Sequence, residues 1–388
     1  MREVIEALEG MVREAGSAGE REASEWIAAR FERAGARSVS IDEESYHDGF
    51  AGMLGKLAAG AAGAGALVAA TGRFGKLGAA VGAGAAALIA DDISNGFRPW
   101  RKAVMEAKTT TNVVAEIGDP DAERTLVVLG HHDAAHTGAV FDPTLQRKLA
   151  ETFPGIVERI DTSLPQWWGL LAGPALVAVG GATGKRGLTA AGAALSAAGA
   201  ALMEDIERGE VVPGANDNLS SVAAMVVVAE VLRDRPVEGL RVILASCGAE
   251  EILQGGIYGF CERRLARLDR ERTWVLNLDT VGSPGLVLLE GEGPVIMEDF
   301  FDVTWRDLIA RVAEREAIPM RRGMRARAST DTVIPSRMGY PTACLVSVNR
   351  HKALPNYHLP SDVGENLCWP TIAAAADLTE ALARELAA

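Results

Sequence analysis

The stretch TLVVLGHHDAAHTG, Thr125 to Gly138, decides how the chain is read. A β-branched apolar run ends at Gly130 and gives way at once to His131, His132 and Asp133. Polar groups at the C-terminal edge of a buried strand are where open α/β sheets keep their ligands. Working outward, Thr109 to Ile117 and Arg124 to Leu129 read as strands separated by the turn signal Gly118-Asp119-Pro120, and Arg37 to Glu44 as an earlier one. Before them, Val4, Ile5, Leu8 and Val12, then Ala23, Trp26, Ile27 and Phe31, recur at helical spacing on either side of Gly16-Ser17-Ala18-Gly19. After residue 210, helices expected over 222–232, 300–314 and 371–386 alternate with strands over 240–245, 274–278, 286–289 and 343–348. The pattern predicts an α/β fold of three layers, a mostly parallel central sheet flanked by helices.

Two segments break that rhythm, at about 48–104 and 141–210, and both are rich in alanine and glycine. They match in order: Ala66-Leu67-Val68 with Ala175-Leu176-Val177, Thr71-Gly72-Arg73 with Thr183-Gly184-Lys185, Asp91-Asp92-Ile93 with Glu204-Asp205-Ile206. The repeat predicts two inserted helical hairpins, 48–104 and 141–210, in a catalytic domain made of 1–47, 105–140 and 211–388. Their four helices are expected to form one subdomain beside the site, small residues letting the backbones approach. A helix apolar all round is buried in something. Lys56 and Pro174 interrupt the outgoing helices, and the return helices meet acid before about 20 apolar residues, the length of a span. Membrane contact and an oligomer interface both stay open, and Trp167-Trp168 suits either.

The 388 residues suffice for a large core, and 52 acidic against 39 basic residues, a net charge of -13, exclude nucleic acid as the principal partner. Cys247, Cys261, Cys344 and Cys368 have neither metal-site nor disulfide-scaffold spacing, and the opening MREVIEALEGMVREAG is amphipathic rather than a signal peptide. The expectation is a cytoplasmic catalytic domain, with membrane association through the hairpins left open.

Polar groups at strand ends and turns carry the chemistry: His131 and Asp133, Asp217, Glu250-Glu251, Asp279 and His358. Two imidazoles with several carboxylates and no thiolate suit a catalytic zinc site, whereas calcium and magnesium prefer oxygen alone. Set out in order, His131-His132-Asp133, Gly214-Ala215-Asn216-Asp217-Asn218, Gly248-Ala249-Glu250-Glu251, Asn277-Leu278-Asp279 and Tyr357-His358 resemble the co-catalytic di-zinc exopeptidases. That family includes bacterial leucyl-type aminopeptidases, glutamate carboxypeptidase and glutaminyl cyclase. The resemblance covers 1–45, 105–140 and 211–388 and leaves out the hairpins.

The resemblance implies two zinc ions bridged by Asp217, with His131 and Asp279 on one and Glu251 and His358 on the other. It implies Glu250 as general base, Asp133 orienting His131, a cis Asp217-Asn218 peptide, and Tyr357 beside the oxyanion. Asp331 looks like a supporting pocket residue. The activity implied is hydrolysis of a peptide or small amide, first as an aminopeptidase; carboxypeptidase, small-amide hydrolase and glutaminyl cyclase are alternatives, and a non-catalytic binding role comes last. His132 should point away from the site, and His136 and His351 read as loop residues. The tract Arg321 to Arg327 is either a solvated edge strand or a seat for a substrate carboxylate.

Overall fold

The computed structural model describes residues 1–388. Nine strands form one sheet: β1 (Ser38–His47), β2 (Ala107–Gly118), β3 (Arg124–His131), β4 (Leu240–Cys247), β5 (Thr273–Leu278), β6 (Gly285–Glu292), β7 (Glu298–Asp299), β8 (Arg321–Ala326) and β9 (Thr342–Val348). Their order is β1-β2-β4-β3-β5-β9-β6-β7, with β8 also paired to β6. The central four, β4-β3-β5-β9, run parallel, which bears out the expected architecture. Outside them β2 and β6 pair antiparallel with their inner neighbours. Short β7 and the arginine-bearing β8 lie at one margin; neither has the apolar run by which the other strands announce themselves.

Period-two alternation divides β3 between two cores. Leu126 and Val128 join the larger core, with Ile27, Phe31, Val222, Trp305 and Leu382 of the helices on that face. Val127 and Leu129 join the smaller one opposite, with Ile243, Phe260 and Tyr340. Burial on both faces is why β3 reads as an unbroken apolar run. Helix Ser220–Asp234 lies so close to the end of β3 that a Cβ on Gly130 would sit 2.5 Å from Ser221 Oγ. The position immediately before His131, the last residue of the strand, is therefore glycine.

The two hairpins are Phe50–Thr71 with Gly75–Ile93, and Trp168–Thr183 with Arg186–Glu207. Each helix packs on at least two of the others, closing a four-membered ring across which Phe50–Thr71 also touches Trp168–Thr183. Glycine sets the separation: a Cβ on Gly82 would lie 2.6 Å from the Pro174 carbonyl, and one on Gly192 2.6 Å from Val177 N. The repeat is literal at the turns. Both outgoing helices stop at a left-handed glycine, Gly72 and Gly184, and Thr71 and Thr183 each return a 2.7 Å bond to a carbonyl four residues back. The interruptions expected at Lys56 and Pro174 do not occur. Lys56 is exposed, so the charge stays outside the bundle, and Pro174 is buried inside a helix whose neighbour reaches it through Gly82.

Candidate metal centre

The parallel strands end on one edge, and the polar residues sit at or just past those ends: His131 closes β3, Glu250-Glu251 follow β4, Asp279 follows β5, and His358 lies in the segment after β9. Asp217 comes from the loop leading into Ser220–Asp234, where the Asp217-Asn218 peptide is cis, as the resemblance implies. His131 Nε2 lies 3.2 Å from Asp217 Oδ1, and His358 Nε2 lies 3.3 Å from Asp217 Oδ2 and 3.1 Å from Glu251 Oε2. Asp217 thus offers one oxygen to each histidine. Donor atoms of His131, Asp217 and Asp279 fall within 4.8 Å of one another, as do those of Asp217, Glu251 and His358, and those of His131, Glu250 and Glu251.

Bonds from further out fix these side chains. Asp133 Oδ1 accepts from Glu250 N at 3.1 Å and lies 3.3 Å from His131 Nδ1, while Oδ2 accepts from Glu251 N at 3.0 Å. One carboxylate therefore sets both the imidazole and the Glu250-Glu251 loop. Gln254 Nε2 donates to Glu250 Oε1 at 2.8 Å. Asn95, at the foot of the first hairpin, donates to Gln254 Oε1 at 2.8 Å. Tyr357 stacks on His358 at 3.8 Å, and Phe141 meets the same imidazole edge-on at 4.4 Å.

Burial is the largest influence on each acid. It pushes Glu250 well above the ordinary carboxylate range, raises Glu251, and lifts Asp279 to about 7. In Asp217 burial also pushes upward, but the imidazoles of His131 and His358 close beside it outweigh that and hold the carboxyl low. The imidazoles answer in kind: burial lowers them, yet the surrounding carboxylates raise His358 to about 10. Buried acids in this number are costly without a cation. Glu251 Oε1 and His358 Nε2 are buried without a hydrogen-bond partner. Orphaned donor atoms on a nitrogen and oxygen set fit zinc.

Several residues that hold the site have no motif of their own. Arg13 is buried and donates to the carbonyls of Leu8, His132 and Pro213 at 2.6 to 2.8 Å, with Met11 and Gly214 at 3.3 Å. It ties the N-terminal helix to the approaches of His131 and Asp217. Asp362 accepts from Asn216 N and Asp217 N at 2.9 and 3.0 Å, and Asn218 spans Leu278 O and Thr280 N at 3.0 Å each. Only Arg13 and Asp362 being charged yet buried marks them, and burial is not written in the sequence.

The remaining candidates divide. His132 points away from the metal residues, between Ser24 Oγ at 2.8 Å and Ser246 Oγ at 2.9 Å, and burial lowers it to about 4. His136 bonds Gly209 O at 2.7 Å, and His351 sits beside Arg350 in a loop. Asp331 is buried behind the site with neither oxygen bonded, and burial lifts it to about 8. In the arginine tract, Arg322 pairs with Glu290 and Asp307, and Arg325 with Asp299, leaving the guanidinium of Arg327 over the Trp168 ring at 5.4 Å.

Two cavities meet at these residues. The larger, about 310 Å³, is walled by Phe50, Trp167, Leu170, Leu202, Met203 and Ile206 of the hairpins and carries Glu14, Asp48 and Glu207 besides Glu250 and Glu251. The smaller, about 150 Å³, reaches from Asp217 and Asp279 to Arg325, Arg327 and Lys352.

Comparison with known proteins agrees with this geometry. Residues 199–383 match the profile of Peptidase family M28, a span that includes Asp217, Glu250, Glu251, Asp279 and His358. No curated protein matches the chain. Among solved structures, the LapA aminopeptidase of Legionella pneumophila is similar at a TM-score of 0.54 and 12% identity, over 100% of this chain and 70% of that one. Glutaminyl cyclase of Bacteroides thetaiotaomicron gives 0.56 and 12%, over 99% and 94%. A zinc aminopeptidase of Bacillus subtilis gives 0.53 and 14%, over 99% and 93%. At these identities the structures establish the fold. The match to Peptidase family M28 over residues 199–383 supports the expectation of a metallo-exopeptidase.

Proposed function

We propose that the chain is an aminopeptidase working with two zinc ions, which Asp217 would help to hold with one oxygen for each. His131 and Asp279 would complete one set of ligands, Glu251 and His358 the other. The observation that carries this reading is the division of Asp217, one oxygen toward each histidine. When bound, zinc supplies a Lewis acid and lowers the pKa of water toward neutrality. The chain's own residues do the rest. Glu250 stands beside His131, its Oε1 held by Gln254, as the group that takes a proton from the attacking water and passes it to the leaving nitrogen. Burial, which raises its proton affinity, suits a base that must keep the proton until the amine departs. Asp133 keeps His131 and the Glu250-Glu251 loop in register, and Tyr357, lining both cavities, offers its phenol toward a developing oxyanion.

The cavity charges favour a free amine over a free carboxylate at the cleaved end. The larger cavity has Glu14, Asp48 and Glu207 and neither lysine nor arginine on its walls, whereas the smaller has Arg325, Arg327 and Lys352. A peptide entering amine-first places its ammonium among the acids and its leaving portion toward the bases. Glu250→Gln is expected to lose about 10²–10⁴ in kcat with zinc content unchanged. Full activity in that variant refutes the base assignment. A panel of free and N-acetylated peptides tests the end preference, and equal turnover of both, or cyclisation of an N-terminal glutamine in place of hydrolysis, overturns the aminopeptidase reading.

A further inference from the structure

We infer that the four-helix bundle is seated in a lipid bilayer, with its two basic hairpin tips against anionic headgroups. The inference is independent of the reaction assigned above and starts from where charge is missing. No charged residue occurs over 57–72, 77–90, 169–184 or 187–203. Within those lengths Thr189 and Ser196 face the bundle interior, and Thr71 and Thr183 spend their hydroxyls on their own helices. What remains outside is apolar on each helix: Leu67, Val179, the exposed Ala190, Ala194 and Ala197 of the fourth helix, and along Gly75–Ile93 the exposed Ala80, Ala83 and Ala87. A helix without a polar face is one that water does not surround.

Charge returns toward the two ends, and only the tips are of a single sign. The tips carry Arg73, Lys76, Lys185 and Arg186 and no acid. The feet carry both signs, Asp91, Asp92, Glu204, Asp205 and Glu207 together with Lys56, Lys102 and Arg208, next to a catalytic body that is acidic overall. Beside the basic tip residues, Phe74 and Leu77 are 57% and 54% exposed. Beside the feet stand Phe97, Trp100 and Trp168, at 87%, 43% and 49%. Aromatic side chains at both ends of an apolar length mark the two interfaces of a bilayer. The helices are 22, 19, 16 and 22 residues long. At about 1.5 Å per residue their charge-free lengths of 16, 14, 16 and 17 residues reach roughly 21 to 26 Å, a few ångströms under a hydrocarbon core of about 30 Å, a mismatch that local thinning and snorkelling Lys and Arg accommodate.

A second copy of the chain fits less well than lipid. The helices form a closed ring, so their outward faces point to all sides, whereas a twofold partner covers one patch. Helix Phe50–Thr71 shows the same thing alone. It is long and apolar enough to cross a membrane but only 33% buried, while Ala215–Asp234, which passes the same test, is 78% buried in the core.

The test uses the full chain. Cell membranes washed with alkaline carbonate should retain it, and detergent should release it. Reconstituted protein should float with vesicles of equimolar phosphatidylcholine and phosphatidylglycerol, and several-fold less should float with phosphatidylcholine alone. The variant R73Q/K76Q/K185Q, altered only at exposed tip positions, should lose that preference while cleaving a soluble peptide amide at the wild-type rate. A detergent-free, monodisperse monomer or dimer that does not float overturns the inference. Unchanged lipid preference in the variant overturns the assignment of the tips.

Discussion

Replacing Asp133 by asparagine exchanges one oxygen for an amide NH₂ and nothing else. In the protein both oxygens accept backbone bonds, from Glu250 N at 3.1 Å and Glu251 N at 3.0 Å. One of those N–H groups must then face a donor, and the other keeps an acceptor that has lost its charge. A buried donor left unpaired costs about 1–3 kcal/mol, and a bond to a charged partner contributes about 1.5–3 kcal/mol. The change acts on the loop that carries Glu250 and Glu251, and it also removes the carboxylate 3.3 Å from His131 Nδ1. Partners of this kind typically alter metal affinity by about 10–100-fold. We therefore expect D133N to bind zinc about 10–100-fold more weakly, read by competition with a chromophoric chelator. The zinc-free variant should also lose about 2–4 kcal/mol in guanidinium unfolding. D133A, which leaves two donors unpaired but inserts none, should be no worse in stability. Wild-type zinc affinity in D133N would refute the reasoning, because it would mean that neither the loop nor the imidazole depends on that carboxylate.

Arg13→Met removes the donor that serves carbonyls of Leu8, His132 and Pro213, and should cost about 3–5 kcal/mol by denaturant unfolding; R13K should recover little, since an ammonium cannot reach all three directions, and a loss under about 1 kcal/mol counts against the clamp. His132 is depressed by burial from 6.5 to about 4, so the unfolded chain takes up the proton first. Its contribution is full above pH 6.5 and fades as pH falls through 4, by roughly 3 kcal/mol in all. Zinc-free H132Q should show a stability profile flatter by about that amount, and an identical profile would exclude His132 as the source. Gly192→Leu puts a side chain where the Cβ alone meets Val177 N at 2.6 Å; the second hairpin should splay and trypsin should cut faster at Lys185 and Arg186, and unchanged proteolysis would show that this contact does not hold the hairpin closed.

What the sequence made legible was whatever is set by local pattern. The apolar run of β3, the strand ends that follow it and the doubled hairpin are periodic or repeated, so spacing alone exposes them. The metal residues were legible because four of the five motifs come after a strand and the fifth, around Asp217, opens a helix, in an order that forms a pattern. Arg13, Asp362 and Gln254 were not, since each acts through a fold-dependent contact; Arg13 lies 200 residues from Pro213, to which it donates. At the margin beyond β6, β7 was missed and β8 was read as a strand only as one of two alternatives, for a related reason. β7 has two residues and β8 is Arg-Arg-Gly-Met-Arg-Ala, so neither has a periodic apolar signal, and both are strands because β6 offers them an edge. Pro174 misled in the opposite direction, because a proline that would break an isolated helix is carried by one packed against Gly82.

The bond from Asn95 to Gln254 bears on how freely this protein can be taken apart. An ornament can be removed and leave its host's contacts satisfied. Excising 48–104 would strip Gln254 of Asn95 and the Ile252 carbonyl of Arg101, which donates to it at 2.9 Å, on either side of the loop that presents Glu250 and Glu251. The first hairpin is thus a structural member of the catalytic body, and a minimal version of this enzyme has to keep its foot even if it discards its length.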